Sequence, residues 1–124
     1  MPEVLDVAAL QAEMRAFVRE RDWEQFHSPK NLVMALCGET GELIELFQWL
    51  TEAESRQAMD DPTRAEGIRD EMADVLVYLI RLADVLEIDL AAAVRTKMKK
   101  NAAKYPADAV RGRARKYNEL EGKK

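Results

Sequence analysis

The chain has 124 residues, of which 48% are hydrophobic and 34% are charged, and its formal net charge is −4. This mixture excludes a disordered chain and is typical of one compact domain, here expected to span residues 1–124. The acidic balance argues against a general nucleic-acid-binding protein, and no segment has the roughly 18 apolar residues that cross a membrane.

An all-α fold is predicted, because Ala, Leu, Glu, Arg and Lys dominate and the chain has only five Gly and four Pro. The first helix is expected from about Val7 to Glu20, with Asp6 as its N-cap. Ser28 and Pro29 form the cap-then-proline signal that begins a helix, and this second helix is expected to reach Leu50.

The second half of the chain holds two further long helices and a short one. The short helix is expected around Glu54 to Met59, and the third long helix from about Thr63 to Leu86. The fourth begins after a cap at Asp89 and ends near Tyr105. Residues 107–124 have little apolar periodicity and are predicted to form an extended tail, either swapped or covering a site.

The middle of the third long helix, Val75 to Ile80, is apolar on every side. A helix that is apolar all round is buried all round, whereas four helices of this size leave one side of each helix in water. The segment is therefore predicted to contact a partner chain.

Cys37, the single cysteine, can form no internal disulfide, and the chain shows no signal peptide, which favours a reducing cytoplasm. Because Cys37 lies in an apolar helical stretch, it is interpreted as a core residue.

Two pairs of acidic residues stand out, Glu39 with Glu42 and Glu71 with Asp74, and the members of each pair are three residues apart. At this spacing both side chains project from the same side of a helix. A strongly apolar run follows each pair, and carboxylates beside a core need a positive partner. The pairs meet if their helices pack antiparallel with an offset, which the sequence does not fix.

Four oxygen donors without nitrogen or sulfur favour a hard cation, Mg²⁺ or Mn²⁺. A di-iron bundle typically uses Glu-x-x-His on two helices. His27, the only histidine, lies outside both acidic pairs, so a di-iron site is disfavoured. The plainer alternative is that these acids are solvated and pair with Arg69 and Arg81.

Gly38 and Gly41 flank Glu39 inside the second helix, where each glycine costs up to about 1 kcal/mol relative to alanine. They indicate either close helix packing or room for a ligand beside the carboxylates, and both interpretations stay open.

The chain resembles the MazG-type all-α nucleoside triphosphate pyrophosphohydrolases, and in particular their dCTP pyrophosphatase branch. The acidic pairs carry the likeness to the superfamily, and the tryptophan-containing segments and the Arg-Lys-Tyr tail carry the likeness to the branch. The matching stretches are Glu20 to His27, Pro29 to Leu32, Gly38 to Leu43, Glu45 to Trp49, Asp74 to Tyr78, Lys97 with Met98, Asn101, Tyr105 with Pro106, and Arg115 to Leu120.

The resemblance implies a four-helix bundle assembled as a homo-oligomer, usually a tetramer built as a dimer of dimers. It implies that Mg²⁺, or Mn²⁺, supports cleavage of a nucleoside triphosphate between the α and β phosphates. The expected reaction converts dCTP, or modified dCTP, to dCMP and pyrophosphate. Its expected role is housekeeping of the nucleotide pool. Glu39, Glu42, Glu71 and Asp74 would be the catalytic metal ligands, and one of them would orient or deprotonate the attacking water.

By the same resemblance, substrate binding falls to aromatic and polar side chains. They are Trp23 and Trp49 for the base, Tyr78 for a phosphate or the sugar, Lys97 for phosphate, Asn101 for a base or sugar edge, and Tyr105 beside it. Taken without the resemblance, Trp49 is more typical of core packing.

The chain departs from the close relatives at Met14, where they carry a histidine, so strict cytosine preference does not follow from the resemblance. One alternative is a broader or dUTP-type pyrophosphohydrolase. Another, from a different class, is a non-catalytic helical interaction module. The basic stretch from Arg95 onward suggests a nucleic-acid-binding protein as a further alternative, which the acidic net charge disfavours.

Overall fold

The computed structural model describes residues 2–114, and all regular secondary structure in that range is helical. The α-helices are α1 (Val7–Glu20), α2 (Pro29–Glu45), α3 (Glu52–Arg56), α4 (Pro62–Val85), α5 (Leu90–Lys104) and α6 (Ala107–Val110). Short 3₁₀ helices lie at Glu24–Phe26 and Ala58–Asp60. The all-α prediction is confirmed. Within residues 2–114, no helix has the length and apolar character to cross a membrane.

The helices begin where the sequence signals place them. The side chains of Asp6, Ser28, Asp61 and Asp89 each accept a hydrogen bond from a backbone N–H two or three residues further on. Thr51 caps α3 in the same way, within a capping box. These bonds satisfy N–H groups that have no partner inside the helix, so the caps fix the first residue of each element.

The end of α2 differs from the prediction. The helix stops at Glu45 and not at Leu50. The backbone N–H groups of Leu46 and Phe47 donate to carbonyls three residues back, at Leu43 and Ile44, and this tightens the chain into turns before α3.

The chain divides into two compact units, Met1–Ile88 and Asp89–Lys124. In the first unit, α2 and α1 both pack against α4. Helices α2 and α4 run antiparallel, because Leu46 lies against Gly67 whereas the earlier Glu39 lies near the later Glu71. A Cβ built on Gly67 would sit 3.4 Å from a methyl group of Leu46, so this glycine permits the close approach.

The core of the first unit is small. Leu32 of α2 and Ile80 of α4 are its largest fully buried side chains. Val18, Ala58, Ala65, Ile68 and Ala83 complete the buried set among the described residues.

The apolar segment Val75 to Ile80 is not buried all round within this chain. Ile80 is buried, but Leu76, Val77 and Leu79 are 36%, 41% and 39% exposed. An apolar face of α4 is therefore left uncovered by the described residues.

The interpretation of Cys37 as a core residue is wrong, because Cys37 is exposed. The stripe of α2 that turns inward runs through Leu32, Leu36, Glu39 and Leu43. At 100° per residue, Cys37 lies roughly 140° round the helix from Leu32, on the outer side.

The second unit contains α5 and α6. The N–H of Tyr105 closes α5 by donating to the carbonyl of Asn101. Ala107–Val110 is helical and not extended, so the predicted tail differs at its start. Residues 115–124 of that predicted tail lie outside the described residues.

Candidate active site

Three carboxylates meet between α2 and α4. Glu39 and Glu42 of α2 and Glu71 of α4 each offer an oxygen, and these three oxygens lie within 4.8 Å of one another. We call these residues the acidic trio. Asp74, the fourth predicted ligand, falls outside the trio, is exposed and lines the neighbouring cavity together with Glu39. The antiparallel packing therefore brings the two sequence pairs together, with Asp74 at the edge of the cluster.

Two oxygens of the trio have no hydrogen-bond partner. Oε2 of Glu39 and Oε2 of Glu71 are buried, and no donor reaches either atom within residues 2–114. In the same range, neither Arg69 nor Arg81 forms an ion pair with the trio, so the solvated-acid alternative lacks its expected partners. Unpartnered carboxylate oxygens at this mutual distance fit a hard divalent cation.

The electrostatics of the trio reflect this shortage of positive charge. Burial raises the pKa of Glu71 from 4.5 to about 7, and hydrogen bonding and repulsion from Glu42 and Glu39 add to the rise. Burial also raises the pKa of Glu39; Glu42 and Asp74 add to this rise, whereas hydrogen bonding with Glu71 opposes it. The raised pKa favours protonation of Glu71 near neutral pH in the metal-free chain, and a bound cation would favour the charged carboxylate.

The glycines beside Glu39 face open space. A Cβ built on Gly38 or Gly41 would meet no atom of the described residues within 4 Å. Close packing among the described residues is therefore not the reason for these two glycines. Gly67, which no sequence pattern marks, is the glycine that packs closely, against Leu46.

A cavity of about 500 Å³ opens beside the trio, between α1, the connection that follows it, and α4. Its volume falls in the range of small-molecule sites. Its walls are largely apolar. They also include the predicted metal ligands Glu39 and Asp74 and several basic or aromatic side chains. The lining residues are Leu10, Glu13, Met14, Phe17, Val18, Trp23, His27, Glu39, Asp74, Val77, Tyr78 and Arg81.

Two of the four predicted aromatic ligands, Trp23 and Tyr78, line this cavity. Trp23 is 44% exposed and packs edge-on against Phe17, with ring centroids 5.9 Å apart. Tyr78 is half-buried, one turn beyond Asp74 on α4. Trp49 lies in the turn after α2, is 87% exposed and is not part of the lining, so the core-packing interpretation of Trp49 is wrong.

The predicted ligands on the fourth long helix belong to the second unit. Lys97 is exposed, and Asn101 and Tyr105 are half-buried. Lys97 and Asn101 are four residues apart on α5 and share one face of that helix, as the spacing predicts.

A sequence profile of the MazG-like family matches residues 34–120. The chain belongs to the MazG-like family. It is 47% identical over 119 residues to dCTP pyrophosphatase 1 of Homo sapiens. The matched region covers 96% of this chain and 68% of that protein. The protein of the same name from Rattus norvegicus is 46% identical over the same shares. The family and the branch indicated by the sequence are thus confirmed.

A solved structure agrees with this MazG-like assignment. A pyrophosphatase from Archaeoglobus fulgidus superposes with a TM-score of 0.76 at 37% sequence identity. The match covers 86% of this chain and 97% of that one.

The MazG-like chain also carries a polar network that was not predicted from the sequence. Arg15 of α1 donates from Nε to Oδ2 of Asp84 at 2.8 Å, and Arg81 donates from Nη1 to the same oxygen at 3.2 Å. Nε of Arg81 also donates to Nδ1 of His27 at 3.1 Å. Within this network, only the Arg81–Asp84 contact could be inferred from sequence spacing, because these residues are three positions apart on α4. Arg81 and His27 are 54 positions apart, and Arg15 and Asp84 are 69 positions apart.

Hydrogen bonding, charge and burial together shift the pKa values of Asp84 and His27. Hydrogen bonding with Arg15 lowers the pKa of Asp84, against an opposing effect of burial, with Arg81 adding to the decrease. Burial lowers the pKa of His27, and the neighbouring charge of Arg81 lowers it further. His27 is therefore neutral at pH 7, and Asp84 is ionised.

Proposed function

We propose that this protein is a divalent-metal-dependent nucleoside triphosphate pyrophosphohydrolase that converts dCTP, including modified dCTP, to dCMP and pyrophosphate. The observation that carries the proposal is the acidic trio, with two buried and unpartnered oxygens, beside a cavity of suitable size. The relatives named dCTP pyrophosphatase 1, 44–47% identical, support the choice of substrate.

Glu39, Glu42, Glu71 and Asp74 would hold Mg²⁺ or Mn²⁺. The cation supplies charge that polarises phosphate oxygens and stabilises negative charge in the transition state. One of the carboxylates orients the attacking water and accepts its proton, because the reaction needs a base and no other carboxylate cluster of this kind occurs within residues 2–114. The oxygen of that water forms the new bond to phosphorus as the bond between the α and β phosphates breaks.

The cavity would receive the nucleoside. Trp23 stacks on the base, and Tyr78 reaches the sugar or a phosphate, since both line the cavity that Glu39 and Asp74 share. The family resemblance further supports substrate roles for Trp49, Lys97, Asn101 and Tyr105. The exposed apolar residues of α4 support assembly as a homo-oligomer, with a tetramer as the expected form. The cytoplasmic location stays a prediction.

The test is hydrolysis of a panel of deoxynucleoside and ribonucleoside triphosphates with Mg²⁺, and separately with Mn²⁺, followed by product analysis. We expect dCTP to be preferred and pyrophosphate to be the released product. Free phosphate as the only product would overturn the cleavage position.

The variant Glu71→Gln tests the role of the trio in this reaction. We expect it to lower kcat/KM at least about 100-fold, because a charged metal ligand is lost. Asp70→Asn is the matched control, because Asp70 is an exposed acid next to Glu71 and lies outside the trio. Unchanged hydrolysis in Glu71→Gln would show that the proposed metal mechanism is wrong.

A second candidate is a broader or dUTP-type pyrophosphohydrolase. It is favoured by Met14, which lines the cavity and offers only a weak thioether acceptor to a base. Comparable kcat/KM values for dCTP and dUTP in the panel would select it.

A further inference from the structure

One part of the cavity wall carries hydrogen-bond donors that the chain leaves unused. Arg81 is the only lysine or arginine among the lining residues, and its side chain is 12% exposed. Its Nε and Nη1 groups are engaged by His27 and Asp84. Within residues 2–114, its Nη2 group donates to no acceptor, so the guanidinium is fixed in place with donors to spare.

His27 supplies a second donor at the same place. Its Nδ1 accepts the hydrogen bond from Arg81, so the proton of the neutral ring is on Nε2. No described residue accepts a hydrogen bond from that Nε2. Both side chains line the cavity.

Arg81 and His27 lie where the base of a nucleotide would reach if the acidic residues held its phosphates. Asp74, Tyr78 and Arg81 follow one face of α4, at spacings of four and three residues. At 1.5 Å per residue, Arg81 lies about 10 Å along the helix from Asp74. That distance is comparable to the reach from the α phosphate of a nucleotide to the outer edge of its base.

The bases differ in what they present to two donors. Cytosine has adjacent acceptors, O2 and N3, on its pairing edge. Uracil and thymine carry an N–H at position 3, which cannot accept a hydrogen bond and would face another donor. A site that holds donors in fixed positions rejects a base whose donor meets them.

We propose that Arg81, held by His27 and Asp84, determines the preference for cytosine over uracil by donating to O2 and N3 of the base, with His27 as the second donor. The proposal rests on the function proposed above. It places the specificity on α4 and on the connection after α1, in the cavity that Met14 also lines.

The test compares kcat/KM for dCTP and dUTP in the unaltered protein and in Arg81→Gln and Arg81→Lys. We expect the dCTP-to-dUTP ratio to fall about 10- to 100-fold in Arg81→Gln, mainly through KM for dCTP, because a charge-assisted hydrogen bond is lost. Arg81→Lys is expected to lower the ratio too, because an ammonium lacks the planar pair of donors.

The matched control is Arg15→Gln. It removes the other ion pair of Asp84 but no donor of the cavity, since Arg15 is not a lining residue. We expect its dCTP-to-dUTP ratio to stay within about threefold of the unaltered protein. An equal fall in Arg15→Gln and Arg81→Gln would overturn base contact by Arg81 in favour of a structural role.

A second measurement needs no variant. The nucleotide 3-deaza-dCTP has C–H in place of N3, so we expect the unaltered protein to hydrolyse it at least about tenfold less efficiently than dCTP. Equal efficiency would overturn the proposal even if the Arg81 variants do not fold.

The remaining outcomes separate this proposal from the proposed function. Preference for dCTP that persists in folded Arg81→Gln and Arg81→Lys overturns the role of Arg81 and leaves the enzyme assignment standing. An unaltered protein that hydrolyses dUTP as readily as dCTP overturns the cytosine assignment itself, and the role of Arg81 with it. An unaltered protein that releases no pyrophosphate overturns both.

Discussion

Glu71 is the carboxylate whose charge the metal-free fold disfavours most clearly, because burial and its acidic neighbours raise its pKa to about 7. The acidic pairs were predictable from their three-residue spacing, and three of the four acids do meet. The contact of Arg81 with His27 was not predictable, because residues 54 positions apart meet only through the packing of α1, its following connection and α4. Local sequence patterns report neighbours within a helix and not partners across the fold.

The raised pKa of Glu71 predicts an unusual dependence of stability on pH. The folded chain binds this proton more tightly than the unfolded chain, whose carboxyl has its ordinary value of 4.5. The contribution of Glu71 to stability without metal therefore falls as pH rises from about 4.5 to about 7. Thermal unfolding in a chelator between pH 5 and pH 8 measures this. In Glu71→Gln the midpoint should change less over that window; parallel pH profiles for the two proteins would contradict the assignment.

Metal binding should show the opposite pH dependence. Protons and cations compete for the same oxygens, so the rise in unfolding temperature on adding Mg²⁺ should be larger at pH 7.5 than at pH 5.5. Asp70→Asn should retain this increase and Glu71→Gln should lose most of it. An increase independent of pH would indicate binding away from the trio.

At the scale of the helices, the start points were predictable and one end was not. Asp6, Asp61 and Asp89 cap their helices because an acidic side chain satisfies free N–H groups locally. The end of α2 at Glu45 has no glycine or proline signal, and the turns that close it use backbone bonds that most sequences can make. The register of α2 against α4 depends on the approach of Leu46 to Gly67, which only three-dimensional packing reveals.

The two kinds of glycine give a prediction for helix stability. Gly38→Ala and Gly41→Ala should each raise the free energy of unfolding of the metal-free chain by up to about 1 kcal/mol, because the new methyl group meets no described atom. Gly67→Ala is the matched comparison. Its free energy of unfolding should rise by less, because the new Cβ would contact Leu46. Urea unfolding measures all three. A loss of stability in Gly38→Ala or Gly41→Ala would contradict open space at that position.

At the scale of the whole molecule, the described residues leave much apolar surface uncovered. Met72, Leu76 and Leu79 follow one face of α4 at helical spacing and are 58%, 36% and 39% exposed. Among residues 2–114, Leu32 and Ile80 are the largest fully buried side chains, and such a core is modest for a chain of this length. The sequence predicted a partner for this segment from its uniform apolar character.

The prediction for assembly follows from that face. Leu79→Lys should weaken self-association, because a charge would replace apolar contact area. Light scattering across a range of protein concentrations measures the mass. Val4→Lys is the control, since Val4 is 90% exposed and precedes α1. A monomeric unaltered protein at tens of micromolar would show this prediction to be wrong.

The two unpartnered oxygens of Glu39 and Glu71 also bear on how long the protein persists in a cell. Local charge repulsion lowers the free energy of unfolding of the metal-free chain, so that form opens more often than the loaded form. Proteases cut the opened chain. The same carboxylates that are proposed for phosphate chemistry would therefore make the lifetime of the protein follow the supply of divalent cations, with unloaded copies degraded first.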